Sequence, residues 1–286
     1  MYEHKHEHTI ARMAKVLKVS QSGYYKWLKK KDAPLTKKER EDIQITEEIY
    51  EIYRSSRGSY GSRKVTAILN KNRKAPVNHK RVERIMQECA LFSKASRKYI
   101  CTTDSKHNEA IADNLIDRNF HADEPNQKML SDTTVIPTKQ GNLYVAGILD
   151  LYGDVPVGIA MSTRNDGQLV IDALNDMVMR GCGSPGCIIH SDRGSTYCSK
   201  SYRKLISQYN FICSMSRKGD CWDNAPMESF WGKMKTEWLA KKYNTIIEAK
   251  HDVYEYVWDF YPRERPHETF NYMTPMEYYS CGKTRG

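Results

Sequence analysis

At residue 126 the chain changes texture, and that change limits its possible folds more than any other feature. MLSDTTVIPT, NLYVAGILDLYGD and VPVGIAMST are three short runs rich in branched residues, separated by QGN and GD turns, a pattern that predicts an antiparallel meander. GQLVIDALNDMVMR then shows helical spacing, CIIHSD reads as a short buried strand, a helix follows Ser199, FICSMS is another strand, and a long helix starts at about residue 225. Mixed strands and helices imply an α/β core.

The front of the chain is all helical. Residues 11–30 read as two short helices with Ile10, Met13, Ala14 and Leu17 on one face and Ser20 capping the second, a helix-turn-helix-like segment over 1–33. KKDAPLTKK, broken by Pro34, is a linker. Residues 38–92 form a second unit of the same kind: Ile43, Ile45, Ile49 and Ile52 line its first helix, RGSYGSR turns, and Val65, Ile68 and Leu69 follow. Asn78 suits the cap of a third helix that turns Val82, Ile85 and Met86 inward and His79, Lys80, Arg81 and Arg84 outward. Residues 93–125 then link to a core over 126–243, and 244–286 extend it with Val253, Tyr256, Val257 and Phe260 at helical spacing.

Charge follows the same division. The net charge is +10, yet the first 100 residues carry an excess of 13 basic groups and the remainder a deficit of 3. A polyanion such as DNA is therefore gripped mainly by the N-terminal third, with Arg63, Lys64, His79, Lys80, Arg81 and Arg84 as candidate contacts. No run of about 18 apolar residues supports a membrane span. The eight scattered cysteines fit reduced thiols in the cytoplasm. Cys182 and Cys187 flank a turn without a second pair to complete a zinc site, and His4, His6 and His8 fit a solvated terminus.

What a polyanion binder does not need is a set of acids, and the core keeps them. Asp132 lies within the first strand, Asp192 at the end of the fourth and Glu228 in the first turn of the long helix. With 59 and 35 residues between them, only a fold can bring them together. Three acids on separate elements suit hard divalent cations, since a pair of ions about 3.5 to 4 Å apart can serve both oxygens of an in-line phosphodiester displacement. Pro226 suits the helix's first turn, Asp223 or Asn224 its cap, and Met227, Phe230, Trp231, Met234 and Trp238 its buried stripe. Lys235, two turns beyond Glu228, can meet a phosphate. Asp150 and Asp154 remain rival metal ligands on spacing alone, Asp223 is a cap or a support for the Glu228 helix, and His190 reads as a packed histidine.

HSDRGSTYCS (190–199), KGDCWDNAPMESFWGKMKTE (218–237) and YPRERPHETFNYMTPMEYY (261–279) together resemble the transposases of the IS3 family of bacterial insertion sequences. VSQSGYYKWL resembles the start of that family's second reading frame, and YGSRKVTAILN with VNHKRVERIM its helix-turn-helix-like module. The resemblance implies an RNase H-like, retroviral integrase-like catalytic core behind an all-α DNA-binding region. It implies that Asp132, Asp192 and Glu228 are a DDE triad holding two Mg²⁺ ions, with Mn²⁺ as a substitute, and that Lys235 is the family's basic position against DNA; Arg193, next to Asp192, is a further candidate DNA contact. Asp150 becomes a supporting residue. Met129, Asp220 and Pro262 depart from the family pattern, though the three acids are kept.

The expected reaction is metal-dependent cleavage at insertion-sequence ends followed by strand transfer, first joining two ends of one strand and then integrating a circular form into target DNA. Expected partners are the terminal inverted repeats, target DNA, further copies of the chain on DNA, and a first-frame product or a fusion with it, since no sustained heptad appears here. The expected location is the bacterial cytoplasm, on the nucleoid. The alternatives are an RNase H-like nuclease that cuts without joining and a catalytically inert DNA-binding regulator of a longer fusion transposase. A serine recombinase lacks its paired nucleophile and arginine cluster here. Arg263, Arg265 and His267 are either packing residues or DNA contacts.

Overall fold

The computed structural model describes residues 1–31, 33–93, 112–217, 221–239 and 242–283. Most of the expected 93–125 linker, Cys101 and the family departure at Asp220 lie outside them. The chain divides into two compact units, Met1–Glu48 and Ile49–Gly286.

In the first unit α1 (Ile10–Leu17) and α2 (Gln21–Lys31) form the expected hairpin, with Met13, Ala14 and Tyr24 buried. Ser20 Oγ accepts the Gly23 N–H at 3.0 Å, so the expected cap is made. Leu17 stays exposed, because a hairpin of two short helices is too small to cover the whole apolar face. Thr36 and Glu39 then exchange backbone and side-chain hydrogen bonds and start α3 (Lys37–Ser55).

The second unit opens with the rest of α3, α4 (Ser62–Asn70) and α5 (His79–Glu88), closed around Ile49, Val65, Leu69, Val82, Ile85 and Met86. Asn78 Oδ1 accepts the Lys80 N–H at 2.8 Å, and the Asn70 side chain pins both backbone groups of Val77. The expected apolar stripe on α3 narrows to Ile45 and Ile49, and Ile43 is exposed.

Beyond residue 126 the meander is present as β1 (Lys128–Thr138), β2 (Gly141–Asp150) and β3 (Val155–Ser162), antiparallel throughout. After α6 (Gly167–Met179), β4 (Ile188–Ser191) returns parallel to β1. A short α7 (Ser195–Cys198), not expected from sequence, precedes α8 (Lys200–Gln208), and β5 (Ile212–Met215) then adds parallel to β4. The sheet order is β3-β2-β1-β4-β5. α6, which buries Leu169, Val170, Ala173, Leu174 and Met177, crosses over to connect the antiparallel half to the parallel half, as a parallel pairing demands.

Alternation along the strands sorts the two faces. Met129, Ala146, Ile148, Val157 and Ile189 point to α6 and α8, where Leu169, Ala173, Leu174, Met177 and Ile206 complete one core. The other face is covered by α9 (Ala225–Lys233) and α10 (Ile246–Glu255). The expected long helix from 225 is interrupted: α9 passes into a π-helical turn, Met234–Trp238, and α10 likewise into Tyr256–Glu264. These segments bury Phe230, Trp231, Trp238, Tyr256, Phe260 and Tyr261 in one aromatic cluster. The 244–286 segment thus shares this core, and α11 (Pro275–Lys283) packs on β3. Residues 113–115 lie along β5, where Leu115 N–H donates to Ser214 Oγ and Met215 N–H to the Asp113 carbonyl.

Close approach of α6 to the sheet requires Gly158: a Cβ there would lie 2.6 Å from the Ala173 carbonyl oxygen and 2.8 Å from Met177 Cβ. Gly158→Ala is expected to lower unfolding free energy by about 1–3 kcal/mol, read as a shift of the urea midpoint at unchanged slope.

Candidate active site

Register places the first two acids. In the parallel β1–β4 pairing the last matched residues are Ser131 and Ser191, so Asp132 is the next residue of β1 and Asp192 the first residue beyond β4, close enough for its charge to act on Asp132. Because alternate residues face alternate sides, Asp132 leaves the face that Met129, Ser131 and Ile189 share and turns to the side covered by α9, where the charges of Asp192 and Glu228 act on it. Ser131 Oγ, on the opposite face, donates to Tyr197 Oη at 3.1 Å. The Asp192 side chain is steadied by the Gly194 N–H, which donates to its Oδ1 at 2.8 Å.

The third acid arrives on α9. Gly147 sits directly across from Asp132 on β2; a Cβ at 147 would lie 2.7 Å from the tip of the Trp231 ring, so the missing side chain makes the slot into which Trp231 fits. With Trp231, Met227 and Phe230 buried against the sheet, Glu228 is left exposed at the edge of that contact. Lys235 falls in the π turn, half-buried.

Electrostatics join these residues. Burial raises the Asp132 carboxyl well above its usual range, the negative charges of Asp192 and Glu228 raise it further, and the Thr133 N–H opposes them. The Trp231 indole N–H makes no hydrogen bond of good geometry, yet its approach to Asp132 favours the ionised form. Burial also raises Glu228 and lowers Lys235, whose ammonium is partly sustained by Asp132. Mutual repulsion among hard oxygen donors is what a divalent cation relieves. Among the described residues the oxygens of these three carboxylates do not all lie within 4.8 Å of one another. Among the described residues His251, Asp252 and Glu255 do come that close, but there Arg57 already neutralises both acids.

Other expected residues fall elsewhere. Asp150 pairs with Met129 and so faces the α6 side, away from Asp132. It is fully buried and accepts from Asn126 N–H, Tyr152 N–H and Tyr279 Oη, which makes it a structural anchor and removes it as a rival ligand. Asp154 stands in the β2–β3 turn beside Lys233 and His267. His190 is packed as expected, bridging Ser214 and Ser216 at 2.8 and 3.1 Å, and burial lowers it to about 4, which keeps it neutral.

Asp223 is no cap, and Asn224 stands at the cap position without a side-chain bond. Asp223 instead anchors the turn before α9: fully buried, it accepts from Asn114, Arg118 and both the backbone and guanidinium of Arg217.

Of the candidate DNA contacts, Arg63, Lys80 and Arg84 are exposed, Arg84 pairing with Glu88, while His79 is tied to Ser62 Oγ at 2.9 Å. Arg193 Nε donates to the Ser216 carbonyl, which holds it beside Asp192. Lys64 is corrected: it is paired with Glu237 at 3.4 Å and withdrawn from the outer face. Arg265 and His267 are buried as well, Arg265 gripping Glu237 at 2.6 and 2.7 Å, so they are packing residues. Sequence reasoning missed Gly147 and Glu237; a lone glycine inside a strand was the available signal for the first.

The integrase core domain family matches residues 122–221 and, in a second form, 209–275, and an HTH-like domain family matches residues 39–99. With the sheet order and the facing acids, this defines an RNase H-like core of the DDE-type polynucleotidyl transferases, the enzymes that cut and rejoin DNA strands. The chain is 38% identical over 93% of its length, and 97% of the relative's, to an uncharacterised 31 kDa protein of insertion element IS600 from Shigella sonnei. It is 32% identical, over 96% of both chains, to the transposase InsF for insertion sequence IS3A of Escherichia coli. It is 34% identical, over 82% of this chain and 92% of the relative, to the transposase of element IS904 from Lactococcus lactis. The chain belongs to the IS3 family of insertion-sequence transposases.

Arg217 lowers Asp223 from the ordinary 3.8 to about 2. A carboxylate depressed by folding stabilises the fold above its unfolded value, and that stability is lost as pH falls from about 4 to about 2. Asp223→Ala is expected to cost about 3 kcal/mol at neutral pH, with the gap to the parent protein shrinking across that acid window in urea titrations.

Proposed function

We propose that Asp132, Asp192 and Glu228 hold two divalent cations, Mg²⁺ or Mn²⁺, and that the chain uses them to cleave insertion-sequence ends and transfer the freed 3′ hydroxyl to another phosphodiester. The observation that carries this reading is the juxtaposition of Asp132 and Asp192 one step beyond Ser131 and Ser191, with Glu228 close enough for its charge to raise Asp132. The bound ions would activate the attacking oxygen and stabilise the leaving one.

The chain's own groups do the rest. Asp132 is fixed by the sheet, Asp192 by the Gly194 N–H just beyond β4 and Glu228 by the Trp231 contact, so the donors are arranged before DNA arrives. Lys235, on the same helix run as Glu228, meets a phosphate of the bound strand and balances the acids. Arg193, held by the Ser216 carbonyl beside Asp192, does the same from the β4 side. Exposed Arg63 and Lys80, with His79, Arg81 and Arg84, bind the duplex outside the cleft, where terminal repeats are recognised. Joining rather than simple hydrolysis requires two DNA ends in one complex, so the active form is an oligomer on DNA, working with target DNA and with a first-frame product or fusion. We place that activity in the bacterial cytoplasm, on the nucleoid; no described helix is long and apolar enough to cross a membrane.

Asp192→Asn and Glu228→Gln are each expected to lower Mg²⁺-dependent cleavage and strand transfer by about 10⁴-fold while leaving the affinity for element ends unchanged. Mg²⁺ should raise the melting temperature of the parent chain and not that of Asp132→Asn. Cleavage without joined products would favour the plain nuclease, and DNA binding with neither, by a form fused to the first-frame product, would favour the inert regulator.

A further inference from the structure

The basic residues of the helix-turn-helix-like module do not all face outward. Arg57, Lys64 and Lys71 recur every seven residues, and each pairs with acids of the catalytic body: Arg57 with Asp252 at 3.1 Å and Glu255 at 2.9 Å, Lys64 with Glu237 at 3.4 Å, and Lys71 with Glu277. The third pair is about half exposed and contributes little. The other two are deeper. Lys64 and Glu237 are 23% and 16% exposed, and the buried Arg265 takes the same carboxylate. The Arg57 guanidinium lies 3.8 Å from the centroid of the Trp238 ring and donates to the Trp238 carbonyl at 3.4 Å.

Arg57 and Lys64 therefore hold consecutive residues, Trp238 and Glu237, at the end of the π turn that continues α9. That helix run carries Glu228 and Lys235. A phosphate contact keeps its ammonium in water, whereas Lys64 is largely buried between Glu237 and the Tyr60 ring, 5.1 Å away. Nor is its partner incidental: burial works against the charge of Glu237, but Arg265 and Lys64 outweigh it and keep the carboxyl below its usual range.

We propose that Lys64 and Arg57 are positioning residues for strand transfer. They latch the α4–α5 module to the end of the α9 run, so that DNA held by the module reaches Asp132, Asp192 and Glu228 in fixed register. The proposal rests on the carboxylate assignment above. Releasing the latch leaves the outer DNA-binding face intact but lets Glu228 and Lys235 drift, and a shift of about 1 Å can cost up to about 10²-fold in rate.

The test uses the full chain and an end-labelled duplex of its terminal repeat. For Lys64→Gln the expected result is unchanged affinity and salt slope, strand transfer down about tenfold, and faster amide exchange across 234–239. Lys64→Arg should restore both rate and protection. A salt slope reduced by about 1 with weaker binding and unchanged exchange would make Lys64 a phosphate contact and overturn the proposal, as would parental transfer with parental exchange. If Lys64→Gln lacks a cooperative melt, Arg57→Lys, which keeps the charge but loses the flat contact on Trp238, reads the same split. Absence of metal-dependent transfer by the parent chain supplied with its first-frame product or fused to it would sink the carboxylate assignment, while exchange and salt slope would still decide the latch.

Discussion

The structure depends on the parallel match of β1 with β4. Two carboxylates become neighbours only because the pairing ends at Ser131 and Ser191 and the next residue on each strand is acidic. A slip of one residue would turn Asp132 to the α6 face, where Met129 and Ile189 are fully buried, and would place a serine in the cleft. Both faces of β1 are apolar around the acid, with Met129 on one side and Leu130 on the other. The register is thus held by two cores at once, and the site inherits that rigidity without contributing to it.

Holding like charges together works against the fold, and their surroundings are arranged to limit the conflict. His190, between Ser214 of β5 and Ser216 just beyond it, is kept neutral and adds no charge to the cleft. Asp223, a fourth acid near the start of α9, is satisfied by Arg217, Arg118 and Asn114 and stays out of the cluster. The aromatic cluster under α9 makes the floor apolar, which is why Asp132 is harder to ionise than an ordinary aspartate. An unpaired charge so placed is tolerated at functional sites because the rest of the structure over-determines its position.

Much of this was legible in the sequence. The strands announced themselves through branched residues and turns, and α9 through the stripe from Met227 to Trp238, every member of which is buried. Asp132, Asp192 and Glu228 could be singled out because they belong to three separate elements, within a strand, at a strand's end and in the first turn of a helix. Spacing could not separate them from Asp150, since the face an acid takes depends on its partner strand: only the match of Met129 with Asp150 shows that the latter lies on the other side. The π turn was invisible for a similar reason, because Met234 and Trp238 satisfy an ordinary helical stripe. Lys64, Arg265 and His267 were misread or left open because a sequence displays charge without its partner.

That last point alters what the charge asymmetry means. An excess of 13 in the first 100 residues and a deficit in the rest looked like a DNA grip attached to a metal site. Part of it is internal complementarity: Arg57, Lys64 and Lys71 face Asp252, Glu255, Glu237 and Glu277, none of which belongs to the acid cluster in the cleft. A cationic module beside an anionic body will bind that body somewhere. Tying the deeper contacts to the end of the α9 run gives the attraction a fixed outlet, leaves Arg63 and Lys80 exposed for a polyanion, and keeps the module's charge away from the three carboxylates of the cleft.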